Sequence, residues 1–171
     1  MKILLIFLVF FSLFGCNGIG KNIKKSQNFT CPKVFFSSED RIFIDTIDGG
    51  SSVDDVTFKA EINNFALNDN CVVHNTVAII PLDILIVAQP LDNIKNQNIS
   101  MPLYAILLDQ NDQVLETQYF MVAKSIKQNF ENKKFIETDI TDKLQIVSKN
   151  LETTQIIIGF MLDNKKRLLV N

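Results

Sequence analysis

The chain is predicted to be all-β, an antiparallel β-sandwich, on three observations. Short apolar runs recur at regular spacing and are separated by clusters of Asp, Asn, Gly and Ser. Several runs alternate apolar and polar residues with period two, the pattern of a strand with one face buried and one wet. No stretch of the mature chain has the 3.6-residue periodicity of an amphipathic helix. An immunoglobulin-like arrangement is the expected form, although the chain contains no Trp and so lacks the Cys-Trp-Cys hallmark of antibody domains. A small closed barrel is the alternative. The richness in Ile, Val, Phe and Thr suits pleated, half-buried surfaces.

In order along the chain, Lys33 to Phe36 and Arg41 to Asp45 are apolar strands, and Asp48-Gly49-Gly50-Ser51-Ser52 is a turn. Val56, Phe58, Ala60 and Ile62 alternate with Thr57, Lys59, Glu61 and Asn63. Phe65 to Asn70 reads as a polar connection. Cys71 to Ala88 is a long apolar run, and Pro81 within it predicts an edge position, a bulge or a break, because proline lacks the N–H a ladder needs. A loop follows through Gln89-Pro90 to Ser100. Pro102 to Leu108 is a strand, Asp109 to Asp112 a hairpin turn, and Val114 to Val122 an alternating strand. Phe135 to Ile140 alternates again, and Gln155 to Leu162 is apolar enough for a central strand. Asp163 is an N-cap candidate for a short helical turn at the end. This is about eight strands in a single domain, 31–171, with no internal repeat.

The first residues read differently. Met1-Lys2 is a short positive start, and Ile3 to Phe14 is an apolar run broken only by Ser12. About a dozen apolar residues are too few for an ordinary transmembrane helix, which needs roughly 20, but match the hydrophobic region of a secretory signal peptide. Leu13-Phe14-Gly15-Cys16 then resembles the lipobox of bacterial lipoproteins, with Phe14 bulkier than the usual residue there. The resemblance implies a signal peptide over 1–15, cleavage before Cys16, and acylation (palmitate or a related chain) of that cysteine. Two or three acyl chains contribute about 0.8 kcal/mol per buried CH₂, enough for stable anchoring. Asn17, in place of Asp, leans the sorting toward the outer membrane rather than the inner. Residues 16–30, with Gly18, Gly20, Lys21, Lys24 and Lys25, read as a lipidated start and flexible tether facing the periplasm.

Export places Cys31 and Cys71 in an oxidising compartment, and two cysteines allow one disulfide. The alternative is a metal site of Cys31, Cys71 and His74, which has no fourth ligand. Asp45, Asp48, Asp54 and Asp55 around Gly49-Gly50 are the one dense acid cluster. A calcium site there lacks the spacing of an EF-hand loop, and Asp, Gly and Ser are what surface turns use. No metal or cofactor is expected. Cys31-Pro32, Cys71 and Ile158-Gly159-Phe160 also resemble an uncharacterised group of small alphaproteobacterial lipoproteins, and the resemblance implies no activity.

The formal net charge of −2 excludes the basic footprint of a nucleic-acid binder. With one histidine and neither a Gly-x-Ser-x-Gly elbow nor an H-E-x-x-H pair, the chain has no framework for triad or zinc-protease chemistry. The expected function is therefore non-enzymatic. A membrane-anchored envelope lipoprotein would present its sandwich to another envelope protein. The alternative is a carrier of a small apolar or lipidic ligand, since 14 phenylalanines make an apolar cavity conceivable.

Overall fold

A computed structural model describes residues 27–28, 30–47, 50–67, 70–91 and 94–170. Its elements are β1 (Gln27–Asn28), β2 (Lys33–Phe36), β3 (Ile42–Thr46), a 3-10 turn (Val53–Asp55), β4 (Val56–Leu67), β5 (Val72–His74), β6 (Val77–Pro90), β7 (Asn98–Leu108), β8 (Val114–Ser125), β9 (Thr138–Ser148), β10 (Gln155–Phe160) and α1 (Asn164–Val170). The leader, Cys16 and the tether to Ser26 lie outside the described residues, as do Asp48 and Gly49.

The strands form two sheets packed as a sandwich. One holds β1, β5, β6, β4 and β3, with β9 on the other edge of β6; the second runs β2-β10-β7-β8. Neighbours pair antiparallel except β2 and β10, which run parallel and so bring the start and end of the domain together. Both sheets contribute to one core, in which Ile62, Ile80, Ile84 and Ile86 of the first sheet meet Met101, Leu103, Ile156 and Phe160 of the second. All of these side chains are fully buried.

The sandwich agrees with the sequence reading, but the immunoglobulin order does not describe it. That order puts the first, second, fifth and fourth strands in one sheet. Leaving aside short β1 and β5, this chain puts its second, third, fourth and seventh strands in one sheet, and its first, eighth, fifth and sixth in the other. Local alternation sets where strands fall, whereas long-range pairing sets their order.

Three element boundaries also differ. β4 does not stop at Asn63. A register shift between Ile62 and Asn64 marks a bulge, and the strand continues to Leu67 with Phe65 meeting Phe36 edge-on at 5.6 Å. The run from Cys71 to Ala88 is broken at Asn75-Thr76, not at Pro81. Both turn residues have positive φ, 50° and 67°, the geometry of a two-residue hairpin. Pro81 lies within the central strand β6. On one edge β6 pairs with β9 throughout, Pro81 facing Gln145. On the other, β4 begins its pairing at Leu82 and β5 ends its own at Ile79. Proline therefore occupies a gap between two partners, where a missing donor is tolerated. Finally, β9 extends past Ile140 to Ser148, burying Leu144 and Ile146.

The two sides of the sandwich are closed differently. Between β2 and β3 the chain switches sheets, and the corner bonds to both: Phe160 N–H donates to Asp40 O at 2.7 Å, and Ile62 N–H to Arg41 O at 3.0 Å. On the far side, β8 and β9 approach through side chains. Lys124 pairs with Asp142 at 3.1 Å, while Ser148 Oγ donates to Glu116 Oε2 at 2.7 Å. Gln118 Nε2 donates to Val147 O at 3.0 Å.

Candidate interaction surface

The outward residues of the four-stranded sheet follow from its register. Phe35, Ile157, Ile106 and Thr117 form one row across all four strands. Gly159, Tyr104 and Tyr119 form the next, and Pro102 faces Met121 beyond it. Phe35 (46% exposed), Tyr119 (67%) and Met121 (60%) stand open to solvent, joined at the end of β10 by Met161 (43%). Lys33 is the one charged residue among the outward positions of these strands. Four strands about 4.8 Å apart, roughly seven residues long at ~3.4 Å each, span about 450 Å². That is the footprint of the whole face, on which Phe35, Tyr119, Met121 and Met161 are open apolar side chains set among Lys33, Ser100, Thr117 and Gln155.

The outer face of the other sheet is charged. Lys59 and Glu61 lie on β4, Asp83 faces Lys143 across β6 and β9, and Val87 is flanked by Asp139 and Glu61. Arg41 Nε also reaches Glu61 at 3.3 Å. The asymmetry between the two faces is what singles out the first.

On the same face, over Gly159 and Tyr104, lies a polar clasp. Tyr104 Oη donates to Asp40 Oδ2 at 2.8 Å, and Arg167 Nη2 of α1 lies 2.8 Å from Asp40 Oδ1. The latter is a charge contact rather than an aligned hydrogen bond, and Arg167 Nε finds no acceptor. Burial pushes the Tyr104 hydroxyl above the usual tyrosine range, with the neighbouring Asp40 acting in the same direction and Ser37 and Arg167 against it. Tyr104 stands in the clasp as the hydrogen-bond donor to Asp40. Gly159 belongs to the same arrangement, since a Cβ there would meet Tyr104 Oη at 2.6 Å and Asp40 Cβ at 3.0 Å.

The sequence-predicted site residues fall as follows. Cys31 and Cys71 are bonded to each other, with Cα atoms 5.3 Å apart, and Cys71 is fully buried. His74 is an exposed strand residue opposite Val77. In the acidic loop, Asp55 Oδ2 accepts from Ser51 N–H at 3.0 Å, Ser52 N–H at 2.9 Å and Ser52 Oγ at 2.8 Å. These donors, Ser52 N–H foremost, hold its carboxyl below the usual range. Asp45 is taken by Lys166 Nζ at 2.7 Å. Among the described residues no three His, Cys, Asp or Glu side chains converge as metal ligands. Cys16, the predicted lipid site, lies outside the described residues.

Sequence reasoning missed this apolar-bearing face, although β8 carried a signal for it. That strand is apolar in both phases of its alternation, Phe120 and Val122 in one and Tyr119 and Met121 in the other. Fold and surface together define a β-sandwich whose two outer faces differ in charge. Comparison with protein-family models, with curated proteins and with solved structures finds no match.

Proposed function

We propose that this chain is a non-enzymatic lipoprotein of the bacterial cell envelope, anchored through Cys16 and offering the outer face of β2-β10-β7-β8 to another envelope protein. The observation that carries the reading is the contrast between that face and its charged counterpart. Burying exposed Phe35, Tyr119, Met121 and Met161 against a partner removes apolar area from water at about 25 cal/mol per Å². Aromatic and Met side chains are also enriched at interface centres. The alternative expectation, a carrier of an apolar ligand, is favoured less, because Ile, Leu, Met and Phe side chains of both sheets are fully buried in one core.

A photo-crosslinking residue in place of Tyr119 is expected to give a discrete protein adduct in intact cells, and the same residue in place of Lys143 on the opposite sheet is not. Equal adducts at both positions, or none at 119, would overturn the partner-face reading. The anchor is tested separately. Cys16→Ser is expected to release the processed protein from membranes, and continued retention of a cleaved protein would remove the lipid claim.

A further inference from the structure

The connection from β8 to β9 forms a turn at 129–134 that projects a single apolar side chain. Asn129 N–H donates to Lys134 O at 2.8 Å, and Lys133 N–H returns to Asn129 O at 2.9 Å. Asn129 Oδ1 accepts from Glu131 N–H and Asn132 Oδ1 from Lys134 N–H, both at 2.9 Å. The base is fastened as well, by the Gln128–Phe135 bridge and by Ile136 N–H to Lys127 O at 3.0 Å. Phe130 sits on this hydrogen-bonded turn with 101% of its reference surface exposed. Asn129 and Asn132 supply the side-chain bonds of this turn, and nothing in its geometry calls for phenylalanine.

Lys127, Lys133 and Lys134 lie within four residues of Phe130 on the same connection, against Glu131; the next acid, Glu137, accepts from Gln89 Nε2 at 2.8 Å. Phe130 and half-exposed Ile136, with Lys127 and Lys133, line an open cleft of about 1050 Å³. We infer that this turn is a lipid-contacting finger. Phe130 enters the boundary between headgroups and acyl chains of an anionic bilayer while the three lysines pair with lipid phosphates. Aromatic residues favour that boundary, and basic residues beside it are drawn to anionic lipid. A protein pocket of the same chemistry would need both an apolar floor and an acidic rim, whereas an anionic bilayer supplies the two together.

The turn lies at the end of the sandwich where β6 finishes and β9 begins, Ala88 facing Thr138. The chain enters β2 at the other end, where Lys33 and Leu108 both face Gln155. The length of β7 separates these ends by roughly 35 Å at ~3.4 Å per residue. The lipid contact itself does not depend on the proposed anchor at Cys16.

Because the chain has no Trp, Phe130→Trp creates a single fluorescent reporter at a site that touches no core residue. The full chain carrying it is reconstituted into vesicles of phosphatidylcholine alone or of equal parts phosphatidylcholine and phosphatidylglycerol. In the anionic vesicles the indole emission of the Phe130→Trp chain is expected to shift to the blue and to be quenched by brominated acyl chains. Both effects should fall severalfold in the neutral vesicles, in high salt and in the Lys133→Glu/Lys134→Glu background. Emission that stays that of a water-exposed indole overturns the inference, as does equal quenching in both vesicle types. A parallel Tyr119→Trp chain controls for the sheet face, and quenching at 119 but not at 130 would also defeat the finger. A blue shift produced by soluble envelope proteins and not by vesicles would overturn the finger and reassign the turn to a protein partner. Crosslinking at position 119 reads a different surface, so the two readings fail separately.

Discussion

Gly159 and Tyr104 are cross-strand partners, and the lack of a Cβ at one makes room for the hydroxyl of the other. Gly159→Ala would force Tyr104 away from Asp40 and is expected to lower stability by about 1–3 kcal/mol, read as a lower urea midpoint. The loss should shrink in a Tyr104→Ala background, since contacting residues couple. The titrating groups give a pH dependence of known sign. Asp109 is held low by its bonds from Gln113 and Asn111 N–H, and Asp55 by those from Ser52 and Ser51. A depressed carboxyl stabilises the fold above its unfolded value, near 3.8, and the contribution is lost as pH falls through the lower folded value. Tyr104 is raised, so its contribution is complete below the ordinary tyrosine value and is lost as pH rises through the higher folded one. Thermal unfolding followed across pH should therefore show Asp109→Asn flattening the acid limb and Tyr104→Phe the alkaline limb. Little of this was legible beforehand: the hairpin role of Asp109 was, because its bonds are local. The Asp40–Tyr104 bond, 64 residues apart in sequence, was not.

Strands and the terminal helix were legible to the extent that their signals were local. Asp163 was readable as an N-cap, and its Oδ1 does accept from Lys166 N–H at 2.8 Å. The hairpin at Asn75-Thr76 escaped because Thr is not a residue that marks positive φ. Placing α1 required the fold, since its anchors are Lys166 on Asp45 and Arg167 on Asp40. Arg167→Ala leaves the buried Asp40 carboxylate with only Tyr104 and is expected to cost about 1–2 kcal/mol. That lies between a surface pair and a fully buried one, because the arginine itself is partly exposed. Adding Asp40→Asn should recover part of the loss in the same denaturant titration. The disulfide joins the segment before β2 to the start of β5 across a separation of 40 residues. Loop-closure entropy puts its contribution at about 3–4 kcal/mol, to be measured as the drop in unfolding free energy of Cys31→Ala/Cys71→Ala.

A sandwich of two sheets has two outer faces, and in this one they are unlike. Tyr119→Lys with Met121→Lys adds charge to a surface with no core role, so the unfolding midpoint should hold within about 0.5 kcal/mol. With the photo-crosslinking residue placed at Phe35 instead, its adduct should be lost in this variant, and a large fall in stability would show instead that the face is buried in the isolated protein. Period-two alternation, turn residues and a pair of cysteines were enough to specify an all-β domain with Cys31 and Cys71 as the candidate pair, because each of these signals acts over a few residues or by simple counting. The lipobox at Cys16 is also a purely local signal, and the anchor remains a reading of sequence alone. Strand order, the gap that accommodates Pro81, the clasp around Asp40 and the contrast between the two outer faces depend on which distant strands meet. Alternation says that a strand has two faces, but only its neighbours settle which is covered, and β8, apolar on both, shows the difference.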